Sequence, residues 1–185
     1  MSRSHYFRSL KSYKIQTQTD RSKSSFSCTK NIDLQDFLHN KAVTFENNLR
    51  SRTYLYLDNI TQEVAAYFTV TISTLHTDGI SPKVTKLLDG YKDDVASIPC
   101  FLIGQLGKSD KFEPQKIGEY ILDDAIGIID RSQQSLGGRF ILLDAINKEQ
   151  VIKFYETNAF FPIENNPTSE SIKMIKPYFE LIGAN

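Results

Sequence analysis

The spacing of hydrophobic positions changes several times along the chain, and each change marks an element. The stretch through Thr29 is polar and rich in Ser, Thr and Lys. Within it only Tyr13–Gln18 (YKIQTQ) alternates, which predicts a first strand. Asp33 stands where a helix cap would. Leu34, Phe37, Leu38, Ala42, Phe45 and Leu49 then recur at helical spacing and predict an amphipathic helix from about Leu34 to Arg50. Thr53–Leu57, the turn pair Asp58-Asn59 and the β-branched, aromatic run Val64–Ser73 predict a hairpin. Between Thr74 and Ser97 the chain is polar, with Val84, Leu87 and Leu88 marking a short helix.

The next run, Ile98–Leu106 (IPCFLIGQL), is nearly all apolar, as suits a strand covered on both faces. Ile117, Ile121, Ala125 and Ile128 predict a helix over about Pro114–Gln134, ended by Gly137-Gly138. Arg139–Ile146 reads as another buried strand. Asn147 and Gln150 have the spacing of a capping box ahead of a helix carrying Val151, Phe154 and Tyr155. Phe160–Ile163 and Ile172–Leu181 close the pattern as strands. A strand–helix–strand crossover needs two parallel neighbours, and a hairpin needs an antiparallel pair. The expected class is therefore α/β (mixed α+β), with a mixed, mostly antiparallel sheet and helices on both faces.

Composition narrows this picture only slightly. At 185 residues, with 40% hydrophobic and 24% charged positions, the chain fits one domain. No apolar run reaches the roughly 20 residues of a membrane helix, and no secretion signal is legible, so a cytoplasmic protein is expected. Cys28 and Cys100 are read as reduced thiols. The net charge is zero but uneven. Residues 1–30 carry Arg3, Arg8, Lys11, Lys14, Arg21, Lys23 and Lys30 against Asp20 alone, or 7 minus 1, leaving −6 for the rest. Residues 1–25 are thus read as a basic arm and 26–185 as one domain. Such an arm suits either solvent or phosphates.

Most chemical motifs are missing. His5, His39 and His76 are scattered without ligand spacing, so no metal site is expected. Asp93-Asp94 and Asp123-Asp124 read as solvated carboxylates. Gly104–Ser109 (GQLGKS) imitates the end of a phosphate-binding P-loop, but Leu102 occupies the position of its first glycine.

Taken together, Ile98–Leu106, Gly118-Glu119-Tyr120-Ile121-Leu122, Leu142–Ile146 and Phe154-Tyr155-Glu156 with Phe160 resemble the GNAT (Gcn5-related) N-acetyltransferase superfamily. Phe26-Ser27-Cys28 with Leu34-x-x-Phe37-Leu38 is similar to the opening of its branch of toxins that acetylate aminoacyl-tRNA. The resemblance implies the acyl-CoA N-acyltransferase fold, acetyl-CoA as co-substrate and transfer to a primary amine by direct attack. It implies Tyr155 as general acid. Backbone groups of Leu106, Gly107 and Lys108 would hold the pantetheine arm. Gln115, Lys116, Ile117, Gly118 and Glu119 would lie at the phosphates, and Asn147 would be a further coenzyme contact. An amine acceptor, with tRNA as one candidate, and a monomer or homodimer follow from the same likeness. Two departures stand out. Of the family's phosphate loop only its last glycine, Gly118, survives across Glu113–Gly118, and Ala159 replaces the glycine before Phe160. A non-catalytic binding module with an eroded loop is therefore the first alternative, and a P-loop-like nucleotide binder at Gly104–Ser109 the second. Glu63, His76 and Asp78 are candidate bases among which sequence does not choose.

Overall fold

The computed structural model describes residues 10–14, 23–112, 116–163 and 169–180. The strands are β1 (Leu10–Lys14), β2 (Arg52–Asp58), β3 (Val64–His76), β4 (Ser97–Lys108), β5 (Phe140–Ile146), β6 (Phe161–Pro162) and β7 (Ser171–Pro177). They hydrogen-bond in the order β1-β2-β3-β4-β5-β7-β6. The described residues form two compact units. One holds the chain up to Thr71 and Gly104–Ile128; the other holds Ile72–Ile103 and the chain from Ile129 on.

In the first unit β1, β2 and β3 form an antiparallel meander, with a register shift at Tyr56/Leu57. The expected hairpin is present. Its turn is held by the Asp58 carboxylate, which accepts from the N–H groups of Thr61 (2.8 Å) and Ile60 (3.1 Å). These bonds hold the Asp58 pKa below its usual value, the Thr61 N–H contributing most. The first strand lies earlier than its alternation predicted, at Leu10–Lys14, and residues 15–18 fall outside the described segment. Weak alternation does not specify register; pairing with β2 does.

The predicted helix is α1 (Ile32–Asp36), a π-helical turn (Phe37–Lys41) and α2 (Ala42–Asn47) in succession. Asn31, not Asp33, is the cap residue. The wide turn, in which the Ala42 N–H reaches back to Phe37 O, leaves Phe37, Leu38 and Ala42 all buried. They pack with Phe26, Leu55 and Tyr67 on one face of the meander, and the Tyr67 hydroxyl donates to Leu34 O at 2.6 Å. Tyr56, on the alternate face of β2, meets α4 (Gly118–Leu136). Its hydroxyl donates to Asp124 Oδ2 at 2.5 Å, and its ring lies 5.9 Å from that of Tyr120. Asp124 is therefore a structural acceptor rather than the solvated carboxylate expected. Helices cover both faces here because β2 alternates apolar and aromatic side chains to the two sides.

In the second unit α3 (Pro82–Asp89) covers a core of Leu75, Leu88, Ile98, Cys100, Phe140 and Ile175. It begins on the Ser81 side chain, carries Pro82 in its first turn and ends on Gly90 at φ +85°. β4 and β5 are parallel. β5 is antiparallel to β7 at all seven of its positions, and β7 pairs with β6. The last helix, α5 (Glu149–Thr157), starts on Lys148 without a side-chain cap. The expected capping box is absent: Lys148 takes the cap position, and the Asn147 main-chain N–H, which a box would bond to Gln150, donates to Glu170 O at 2.9 Å, while its amide donates to Ser169 O at 2.9 Å. The α4 helix likewise starts at Gly118 rather than Pro114, which lies outside the described residues.

Arg139 closes the α3 end, donating from Nε to Leu88 O (2.8 Å) and from Nη2 to Leu87 O (3.2 Å). A Cβ on Gly90 would stand 2.5 Å from the Arg139 guanidinium carbon. Gly79 has the same left-handed φ (+81°) in open space. Gly79→Ala is thus expected to cost only the backbone strain, about 1 kcal/mol. Gly90→Ala, which also displaces the guanidinium, should cost roughly 2–3 kcal/mol. Urea unfolding of the two variants checks the difference: equal losses would show that the arginine contact contributes nothing.

Candidate active site

In the first unit the predicted pantetheine contacts lie at the end of β4. Leu106 and Lys108 are half-buried and Gly107 is buried. A Cβ on Gly107 would stand 3.0 Å from Leu34 Cδ1, so a side chain there would have to push the Leu34 methyl group aside. Ser109 is fully buried. Its N–H donates to Ala65 O at 2.9 Å, and its Oγ accepts from the Ser27 N–H at 3.3 Å. The P-loop reading fails here. Gly104–Lys108 is extended strand, and the serine that would meet a metal ion is committed to the core.

A short 3-10 turn (Asp110–Phe112) follows β4. Gln115 lies outside the described residues. Lys116 is exposed, Ile117 is fully buried as an anchor, and Gly118 and Glu119 open α4. The Ile117 carbonyl accepts from Ile121 N–H at 3.0 Å in the first turn of α4. The first-turn N–H groups of a helix are the usual receivers of an anion. Lys23, counted with the basic arm, is buried, unlike a phosphate-binding arm residue. Glu63, one candidate base, is ion-paired to Lys111 at 2.5 Å.

In the second unit the parallel ladder between β4 and β5 is two partners long, Phe101↔Ile141 and Leu102↔Leu142, while β4 itself runs on to Lys108. At the end of β5, the Asn147 main-chain N–H donates to Glu170 O at 2.9 Å and its side-chain amide to Ser169 O. A coenzyme contact from Asn147 would use its oxygens or the second hydrogen of its amide. His76 and Asp78 are both exposed.

Tyr155 lies on the buried face of α5 and is 8% exposed. Its ring is held edge-on by Phe154 (5.1 Å) and Phe160 (5.7 Å). Burial alone pushes its phenol up to about 12, above the value near 10 expected from sequence. The same cause pushes the Cys100 thiol up to about 12, which leaves it un-ionised and inert at neutral pH. Cys100 also lines an open, mainly apolar groove of about 510 Å³ with Ile72, Pro99, Phe101, Leu136 and Gly138. None of the site residues expected from sequence lines that groove.

The residues that sequence reasoning missed sit around the end of α5. Asn158 closes the helix, and Ala159 adopts φ +63°. Lys176 Nζ donates to Asn158 O at 3.0 Å. The alanine in a family glycine position was the available signal, since glycine there commonly means a left-handed residue.

No protein-family model matches the sequence. Solved structures do match the fold. A crystal structure described as a bacterial toxin is 19% identical, with a TM-score of 0.75 over 91% of this chain and 90% of that one. A mutant of KacT is 16% identical, with a TM-score of 0.72 over 91% and 95%. AtaT complexed with acetyl-methionyl-tRNAfMet is 19% identical, with a TM-score of 0.71 over 91% and 94%. The chain has the GNAT fold. The expected fold class, including the mixed, mostly antiparallel sheet, agrees with this arrangement. Among the described residues no helix is long and apolar enough to cross a membrane.

The raised phenol of Tyr155 has a consequence at alkaline pH. The unfolded chain releases this proton near pH 10 and the folded chain near 12. Stability from the buried neutral phenol is therefore complete below pH 10 and is lost as pH rises towards 12. Relative to Tyr155→Phe, the wild-type chain should lose roughly 2–3 kcal/mol across that window. Urea titrations at pH 9 to 12 measure it. Parallel pH curves for the two proteins would mean that the phenol is not desolvated.

Proposed function

We propose that the chain is an acetyl-CoA-dependent N-acetyltransferase acting on a primary amine, with Tyr155 as general acid. The observation that carries this reading is the parallel ladder that stops after two partners while β4 continues to Lys108. Strand backbone beyond such a stop suits the amides of a pantetheine arm, which can bond it as a further strand would. The N–H groups opening α4 suit the coenzyme's phosphates. Because they are main-chain groups, the loss of the family's loop glycines does not remove them. Crystals of AtaT contain acetyl-CoA, which supports the same co-substrate here.

In the reaction a neutral acceptor amine attacks the thioester carbonyl. A carbon–nitrogen bond forms and the carbon–sulfur bond breaks. A strand N–H stabilises the oxyanion. The amine's surplus proton leaves to solvent, the departing thiolate takes the phenolic proton of Tyr155, and solvent returns a proton to the phenolate. A phenol at about 12 is a weak donor to an exposed thiol near 8.5. Burial lifts thiols too, as Cys100 shows, so a desolvated thiolate beside Tyr155 would be nearly matched in basicity. The buried phenol stays protonated at neutral pH, which fits an acid and not a base.

For the acceptor we favour an aminoacyl-tRNA. The basic stretch before Thr29 supports it, as does the likeness to AtaT, which has been solved with acetyl-methionyl-tRNAfMet.

Acetyl-CoA should raise the melting temperature in proportion to the logarithm of its concentration, and ATP should not. Thiol release with an amine panel then tests the chemistry. Tyr155→Phe should lower turnover by roughly 10²–10⁴-fold with little change in KM for acetyl-CoA. Wild-type turnover in that variant would remove Tyr155 from the mechanism, and absence of any acetyl-CoA shift would leave the non-catalytic reading.

RNA binding is tested separately. Replacing Lys11, Lys14 and Arg21 with Gln should weaken binding and flatten its dependence on salt by about one unit of slope per lost phosphate contact. If the wild-type chain binds no RNA at low salt, the acceptor is a smaller amine.

A further inference from the structure

The end of α5 is a Schellman turn built around the wrong residue. Phe160 N–H donates to Tyr155 O and Ala159 N–H to Glu156 O, each at 3.0 Å, which is the paired bonding of that motif. The motif places one residue at positive φ, normally a glycine. Here it is Ala159, at φ +63°. The alanine is exposed, so no packing of its methyl group explains its presence. An L-residue with a Cβ resists this conformation, because the carbonyl oxygen of the preceding peptide crowds the side chain.

That preceding carbonyl belongs to Asn158, and it is the one bonded by Lys176 Nζ at 3.0 Å. The φ angle of Ala159 is the rotation of its own atoms against the Asn158–Ala159 peptide plane. A donor fixed on the Asn158 oxygen therefore holds the plane that alanine would otherwise turn. Lys176 is well placed for this. Its main chain lies within the β5–β7 ladder, opposite Ile141, and its ammonium stands 5.9 Å over the Phe160 ring. The cation also sits at the helix C-terminus, where the dipole favours it. Phe160, fully buried, is the next residue and packs edge-on against Tyr155.

We propose that Lys176 is a positioning residue that takes over the work of the missing glycine: it pins the Asn158–Ala159 peptide, and through Phe160 it fixes the ring of Tyr155. The consequence for turnover rests on the reading of Tyr155 as general acid; the clamp itself does not.

Four variants separate the possibilities: Lys176→Met, which keeps the stem and removes the donor; Lys176→Arg, which keeps a donor; Ala159→Gly; and Lys176→Met with Ala159→Gly. Amide exchange at Ala159 and Phe160 is read by NMR without any activity. Lys176→Met should speed both amides by about tenfold or more, and adding Ala159→Gly should restore protection. In thiol-release assays Lys176→Met should lower kcat by about tenfold with KM for acetyl-CoA within about twofold, since small misplacements of reacting groups cost rate. Lys176→Arg and the double variant should recover most of that kcat. A lysine that only adds general stability would lower the melting temperature without this recovery by glycine. Unchanged exchange in Lys176→Met, or a double variant no better than Lys176→Met, overturns the clamp. Faster exchange with unchanged kcat, where Tyr155→Phe is impaired, overturns its role in positioning. Full turnover in Tyr155→Phe defeats the general-acid reading instead, and the exchange data still decide the clamp.

Discussion

The backbone of β4 sets the terms for much of this fold. It is a twelve-residue strand whose N–H and C=O groups need partners along its whole length. β3 precedes it in the strand order, and the link continues just past the strand end, where Ser109 N–H reaches Ala65 O. β5 supplies two parallel partners and then commits all seven of its own positions to β7. Past Leu102 the β4 backbone runs on to Lys108 as a row of groups outside the β5 ladder. The proposed chemistry gives that row a ligand with amides of its own. The same strand decides against a nucleotide loop, because a phosphate cradle needs backbone N–H groups turned inward and an extended strand does not curl to offer them.

Helix ends do more than stop helices in this chain. Two of them close with the same paired bonds and with a residue other than glycine at positive φ. After α2 it is Leu49 at φ +58°, with Arg50 N–H on Phe45 O and Leu49 N–H on Glu46 O. After α5 it is Ala159. In both cases the following side chain covers an aromatic ring three positions from the helix end. The Arg50 guanidinium lies 4.4 Å over the Phe45 ring, and Phe160 packs on Tyr155. Backbone strain at the turn is offset by satisfied carbonyls and ring contacts, and the result is a rigid exit from the helix.

Burial, rather than neighbouring charge, dominates the titration of the interior groups. Tyr155 and Cys100 are raised by desolvation alone, and desolvation is also the leading cause for Tyr67 and Cys28. One carboxylate behaves differently. Asp58 is lowered, chiefly by the Thr61 main-chain N–H. The Tyr155 phenol is kept neutral and packed between two rings. Buried, neutral thiols are poor nucleophiles.

Periodicity in the sequence determined which segments are helices and strands and which faces turn inward. The hairpin, the apolar β4, the α4 helix and β5 were legible because each buries a face whose spacing only one regular structure can present. Boundaries moved where local signals are weak, as at β1 and the start of α4. The FYE helix and the alanine in place of glycine pointed to Tyr155 and to an unusual turn. Tertiary structure decided where polar groups find partners. Tyr56 meets Asp124 across 68 residues, and Ser27 meets Ser109 across 82. Asn147, spaced as a helix cap, bonds the backbone before β7 instead, and Lys176 reaches Asn158 from a strand eighteen positions on. A hydrophobic face is a property of neighbours along the chain and shows in their spacing. A hydrogen-bond partner is whichever group folding brings within about 3 Å, and no local pattern carries that distance.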